Sequence, residues 1–399
     1  MKYEEFKSTP VLYEAYKKTR RGKRSKKAEA IFESSETENL KRIARQIDKG
    51  YLPAGLDSFM IYEPKARTIN APAFRDKIVQ RDLTDNVIYP ALVKSIPFNA
   101  FAAQTGKGQH YGVDMMEKQM RHYFLKRKAA DEQRRQELGL PYRPMEEWDY
   151  SDGWVVKGDV RKCFESTDQE KLKAAVYPRL GDERYCYLLG KYIEQLDKGL
   201  ALGHQTSHIC VVFYLSKVLH FINQDLGHPD SGMYMDDWYA IAETKEEAVA
   251  LLAAARVKFA ELGYELNEKT VIFPLRHGID FCGFHVYLTR TGKTVRKLRK
   301  SSKKRMKRMK RRIKKWERDY AAGLISKEKI EQSFQSWCAH AKHGDTHQLI
   351  REMRKRLDRV YQQPVKENGN EQKDQRSFSR QPRQAQRERG CQKVHHARL

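Results

Sequence analysis

Short β-branched and aromatic runs alternate along this chain with longer stretches of helical periodicity, the pattern of a mixed α+β protein. Residues 1–50 are polar and helical in pattern. Phe59-Met60-Ile61-Tyr62 and Arg67-Thr68-Ile69-Asn70-Ala71 read as two short strands around a Pro64-Lys65 turn. Ile78, Val79, Leu83, Val87 and Ile88 form the apolar stripe of an amphipathic helix beginning near Phe74. Residues 124–150 are rich in Arg, Glu and Gln, carry Pro141 and Pro144, and read as an exposed insertion. Trp154 to Val160 is a short β-branched run that reaches Asp159, and the residues after it lead into a helix with Ser166 or Thr167 as N-cap. Ile209–Leu215 is an apolar helix. Met233 to Ile241 follows the turn-forming run Gly227–Gly232 and reads as a β-hairpin with Asp236 and Asp237 at its tip. Met306, Met309, Ile313 and Trp316 recur at helical spacing, and two more amphipathic helices fill residues 320–362.

Composition adds a partner to this outline. The 399 residues can bury a core and form two or three domains. Lys and Arg number 78 against 52 acidic residues, a net charge of +26 that predicts a polyanion, most simply nucleic acid. The excess is densest between Lys293 and Lys315, where fifteen of twenty-three residues are basic. A calmodulin-like or membrane-surface helix is the competing reading of that stretch. No window is apolar enough for a membrane span, and the N-terminus has no apolar leader. Six cysteines without Cys-x-x-Cys spacing suit a reduced, cytoplasmic protein. From about Pro364 the composition loses its aliphatics, which predicts a disordered basic tail.

Chemistry concentrates on the acidic pair. Two adjacent carboxylates beside apolar strands repel each other unless a cation neutralises them, and a divalent metal is the natural candidate. A solvated Asp-Asp turn is the alternative. A strand that ends in Asp159, with Phe164 five residues on and Tyr234-Met235-Asp236-Asp237 some seventy residues later, resembles the palm of a reverse transcriptase. The blocks around Gly203 and Ser207, Lys269, and the Cys282-Gly283 hairpin follow in that family's order.

The resemblance implies a right-hand polymerase fold: an N-terminal basic segment and fingers over 1–150, a palm over 151–290, a basic helical thumb over 291–362 and a tail over 363–399. It implies two Mg²⁺ ions, with Mn²⁺ as a substitute, held by Asp159, Asp236, Asp237 and the Val160 carbonyl. Lys65 and Arg67 would grip the incoming triphosphate, and Phe164 would exclude a 2′-hydroxyl. Lys269 would protonate the departing pyrophosphate. Leu202, Gly203 and Ser207 would lie against the nucleotide. Leu202 stands where most reverse transcriptases have Gln, and His208 where they have Pro. The aliphatic-Gly start resembles the error-prone enzymes of diversity-generating retroelements, although those have Gln at the position of His208. The partners implied are an RNA template, a DNA or RNA primer, dNTPs, a structured non-coding RNA and a basic accessory protein. Lys107, between two glycines, would touch the template. Gly283 would approach the primer, and Arg296, Lys300, Lys304, Arg308 and Arg311 would follow the nucleic-acid backbone. A phage-defence or group II intron-like enzyme, and a non-catalytic RNA-binding scaffold, are the alternatives.

Overall fold

The structure is a computed structural model that describes residues 1–22, 26–62 and 66–362, with the backbone alone over 300–308. Lys65, the tail 363–399, and the side chains of Lys300, Lys304, Met306 and Arg308 lie outside the described residues. The chain divides into two units, residues 1–303 with 343–346, and residues 304–342 with the chain from 347 onward.

The first unit combines helices with antiparallel sheets. Strands β1 (Asp57–Ile61) and β2 (Arg67–Ala71) form a two-stranded ribbon that exposes Phe59 and Met60. β3 (Trp154–Asp159), β4 (Ser231–Tyr234), β5 (Asp237–Ala242) and β6 (Val271–Pro274) make a four-stranded sheet in the order β4-β5-β3-β6. Its buried side chains include Trp238, fully covered opposite Gly158. A side chain at 158 would begin 2.4 Å from the Trp238 indole nitrogen, so this pair fits only with glycine. The helix Gln205–His220 is apolar on nearly every side and is correspondingly buried, joining the sheet to the N-terminal helices through Ile209, Val211 and Leu215. The third sheet, β7 (Ile279–Phe281), β8 (Phe284–Leu288) and β9 (Thr294–Leu298), turns at Cys282 and Gly283, both with positive φ. β9 extends this sheet past residue 290.

Three details differ from the pattern-based reading. Residues 109–137 are one continuous helix, so the segment 124–150 begins as structure rather than as an insertion. Its tail is tied back: Tyr150 is buried, and its hydroxyl and the Arg143 guanidinium both donate to Asp131. Those bonds hold the Asp131 carboxyl down to about 2. The cap of the helix Gln169–Leu180 is Asp168, which accepts from the Lys171 amide at 3.0 Å. Thr167, expected there, is buried and bonds Cys163 and Tyr264 instead. The N-terminal segment, polar in pattern, sends Phe6, Leu12, Tyr16, Leu40 and Ile43 into the main core.

The second unit has its own core. Met309, Ile313 and Trp316 of the helix Lys300–Ala321 pack with Ile330 and Phe334 of Lys327–Ala341 and Met353 and Leu357 of His347–Val360. Arg311 is on the exposed face of the first of these helices. Among the described residues no helix is long and apolar enough to cross a membrane.

Candidate active site

β3 and β5 run antiparallel, and their register sets Asp159 directly opposite Asp237. Facing residues in such a pair have Cα atoms about 4.5–5.5 Å apart. Asp236 lies in the two-residue turn between β4 and β5, after Met235, which adopts φ +57°. The Val160 amide donates to the Asp236 carbonyl at 3.1 Å, fixing the turn against the end of β3. On the other side, Asn267 donates its backbone amide to the Asp159 carbonyl at 2.7 Å and its side-chain amide to the Asp159 carboxylate at 3.5 Å. Three chain segments distant in sequence thus meet at the end of β3. Asp237 is turned differently: its carboxylate makes an ion pair with Lys157, whose ammonium also lies 5.2 Å from the centre of the Phe281 ring.

The metal-ligand candidates on the cavity wall, Asp159, Asp236 and Val160, offer only oxygen: two carboxylates and a backbone carbonyl. This is the chemistry of Mg²⁺ and Mn²⁺, which take one or two carboxylates and complete their shell with substrate phosphates and water. Among the described residues no three of His, Cys, Asp and Glu are grouped to hold a metal by themselves.

Asp159, Val160 and Asp236 open into a cavity of about 1520 Å³, larger than the ~300–1,000 Å³ usual for a small-molecule pocket. Cations line it: Lys18, Arg67, Arg81, Lys107, Lys162 and Lys198, against the acids Asp85, Asp159, Glu165 and Asp236. Asp85 organises one wall by pairing with Lys18 at 2.9 Å and Arg81 at 3.6 Å and accepting from Gln205 at 3.4 Å. Phe164, Leu200, Leu202, His208 and Ile209 form an apolar side.

The sequence-derived candidates separate on this map. Arg67, Lys107, Asp159, Val160, Phe164, Leu202 and Asp236 line the cavity together. Gly203, Ser207, Asp237 and Lys269 are outside its lining, Ser207 being buried in the first helical turn and Lys269 exposed beyond Asn267. Gly203 has a structural reason to be glycine: at φ +139°, a Cβ there would approach the Asn70 carbonyl oxygen to 2.7 Å. The neighbouring Leu202 carbonyl accepts from the Asn70 amide at 3.0 Å, joining the β1–β2 ribbon to the start of the buried helix. Lys107 directs its ammonium at the Phe98 and Ala100 carbonyls, 3.0 and 3.3 Å away, and burial lowers its pKa. Gly283 has open space around it, so its positive φ, not crowding, calls for glycine. Arg296 is placed in an internal cluster: it donates to Glu117, Asp114 and the His343 carbonyl, and its side chain is 13% exposed. That geometry leaves it facing carboxylates rather than an open phosphate track. His204 is a core ring against Tyr192, with burial lowering its pKa to about 4.

Asn267, Lys157, Lys162, Lys198 and the Lys18–Asp85–Arg81 group were not reached from the sequence. Only Lys18 had a local signal, as part of a basic run. Asn267 and Lys157 act on residues far along the chain or across a sheet, contacts that leave no mark in local periodicity.

No family model and no curated protein matches the sequence. Among solved structures, the chain is similar to telomerase from Candida albicans, determined with the TWJ fragment of telomeric RNA, at 13% identity and a TM-score of 0.46. The alignment takes in 84% of this chain and 59% of that one, so this chain spans less than two thirds of the solved protein's length.

Proposed function

We propose that this chain is an RNA-directed DNA polymerase of right-hand architecture, with residues 151–290 as palm, the ribbon β1–β2 in the fingers and the basic helices after residue 300 as thumb. The observation that carries the proposal is the pairing of β3 with β5, which sets Asp159 beside the β4–β5 turn carrying Asp236, both acids on the wall of a cavity rich in cations. In this reading the primer 3′-oxygen attacks the α-phosphorus of a dNTP. The bond to the bridging oxygen of the β-phosphate breaks, and pyrophosphate departs.

Asp159 and Asp236, with the Val160 carbonyl, would hold Mg²⁺ together with the triphosphate. When bound, the metal supplies Lewis-acid stabilisation of the attacking and leaving oxygens. Asn267 fixes the Asp159 backbone through its own amide and reaches the Asp159 carboxylate with its side chain. Arg67 is assigned to the triphosphate as a fork-shaped donor, together with Lys65. Phe164 is assigned to the sugar, and Lys269 to proton transfer onto pyrophosphate. Leu202 at the nucleotide-facing wall supports an error-prone enzyme of the diversity-generating type, working with a structured RNA and a basic accessory protein.

The test is primer extension on RNA and DNA templates with Mg²⁺ or Mn²⁺ and sequenced products. Asp236→Ala should lower extension about a thousand-fold, equivalent to about 4 kcal/mol of lost transition-state stabilisation, while RNA binding persists. A wild-type chain that binds RNA and extends no primer would leave the non-catalytic scaffold as the reading.

A further inference from the structure

We propose that His208 is a positioning residue for Phe164, and that the two rings together set the choice between deoxyribose and ribose at the cavity wall. This rests on the polymerase reading above and adds to it the residue that sets sugar selectivity.

Phe164 sits on the four-residue helix Cys163–Ser166, directly after the end of β3, so its backbone is anchored close to Asp159. That backbone is held firmly. The Phe164 carbonyl accepts from the Leu200 amide at 2.7 Å, and Gly199, at φ +71°, lets the opposing loop come so near that a Cβ would meet the same carbonyl at 2.6 Å. The ring itself is not covered by those contacts. It is half-buried, lines the cavity, and pairs with the His208 ring, centroids 5.1 Å apart and planes at 64°. That distance and angle are those of an edge-to-face aromatic pair, in which the positive rim of one ring meets the negative face of the other. His208 lies in the second turn of the helix Gln205–His220, one of the most deeply buried elements of the unit, so its own Cα has little freedom. Burial lowers the His208 pKa, which favours the uncharged ring.

A steric filter of this kind depends on where one ring stands. Distinguishing a hydrogen from a hydroxyl at the 2′ carbon is a matter of about 1 Å, and misplacement on that scale is enough to change rates by orders of magnitude. An apolar wall that meets an added hydroxyl discriminates by about a hundred-fold. With its backbone fixed and its ring free on the cavity side, Phe164 needs a lateral stop, and His208 is the aromatic side chain in contact with it.

The experiment measures kcat/KM for a dNTP and the matching rNTP on one RNA template in four proteins: wild type, His208→Ala, His208→Phe and Phe164→Ala, with the double variant His208→Ala/Phe164→Ala closing the cycle. His208→Ala should reduce the deoxy-over-ribo ratio about tenfold, mainly through faster ribonucleotide use. His208→Phe, which keeps an aromatic edge, should restore the ratio. In the double variant the ratio should equal that of Phe164→Ala alone, since His208 acts only through that ring. A ratio unchanged in His208→Ala, or a fall in both substrates by the same factor, would overturn the inference. If His208→Ala fails to fold, His208→Leu takes its place: it fills volume without a ring, and a ratio equal to wild type would count against the proposal. A wild-type chain without DNA synthesis in any of these assays would instead refute the polymerase reading itself.

Discussion

His204 shows what one buried titratable side chain does to the fold. Its imidazole is fully buried against Tyr192, ring centroids 5.9 Å apart and perpendicular. Burial lowers its pKa to about 4, against about 6.5 for an exposed ring. Between those two values the unfolded chain binds a proton that the folded chain refuses. The contribution to stability is therefore whole above pH 6.5 and lost as pH falls toward 4. His204→Phe keeps an aromatic ring on Tyr192 and removes the titration. Urea unfolding across pH 4–7 should show the variant losing less stability on acidification, by on the order of 3 kcal/mol. The comparison must be a difference between the two proteins. Asp82, raised to about 7 by burial, slopes the other way and makes the fold less stable as pH rises from 4 to 7 in both.

At the scale of elements, backbone strain gathers around the cavity. Of the non-glycine residues with positive φ, Ala103, Lys162 and Met235 all line it, with φ of 51°, 47° and 57°. Such conformations cost about 1–3 kcal/mol each and persist where surrounding contacts impose them. Gly203 is the complementary case, a residue that relieves strain where the ribbon β1–β2 meets the buried helix. Gly203→Ala should push Asn70 away, break its bond to Leu202 and lower stability by about 2 kcal/mol. Hydrogen exchange should show the Asn70 amide losing at least about tenfold in protection. The elements themselves were legible in the sequence: the β1–β2 ribbon, the strand reaching Asp159, the Asp236-Asp237 hairpin and the helix after Gly203 follow from alternation, turn residues and helical periodicity. What escaped were long-range choices. Nothing local in Arg296 separates a surface cation from one gripped by Asp114 and Glu117, about 180 positions earlier. Nothing in Lys157 announces Asp237. Tertiary ion pairs are decided by the fold and carry no period.

Across the whole molecule, a net charge of +26 makes nucleic-acid affinity a salt-dependent quantity. Arg311 and Arg296 were equivalent in sequence, both members of the basic stretch, and the structure separates them. Arg311→Gln should reduce the slope of log K against log salt for RNA binding by about 0.9, as expected for one lost phosphate contact. Arg296→Gln should leave that slope unchanged and lower the thermal midpoint, because it strips two carboxylates of their partner. Fluorescence anisotropy over a salt series, beside thermal melts, separates the two results.

The pairing of β3 with β5 has one more implication, for tolerance to change along the chain. Side chains on a strand swap faces with each single-residue step, so sliding β5 by one position would send the carboxylate at 237 through to the far side while leaving the same number of ladder bonds in place. A lone insertion between Trp238 and Ala242 would thus part the acid from Lys157, its ion-pair partner across the sheet, whereas a two-residue insertion would return it to the face it now occupies.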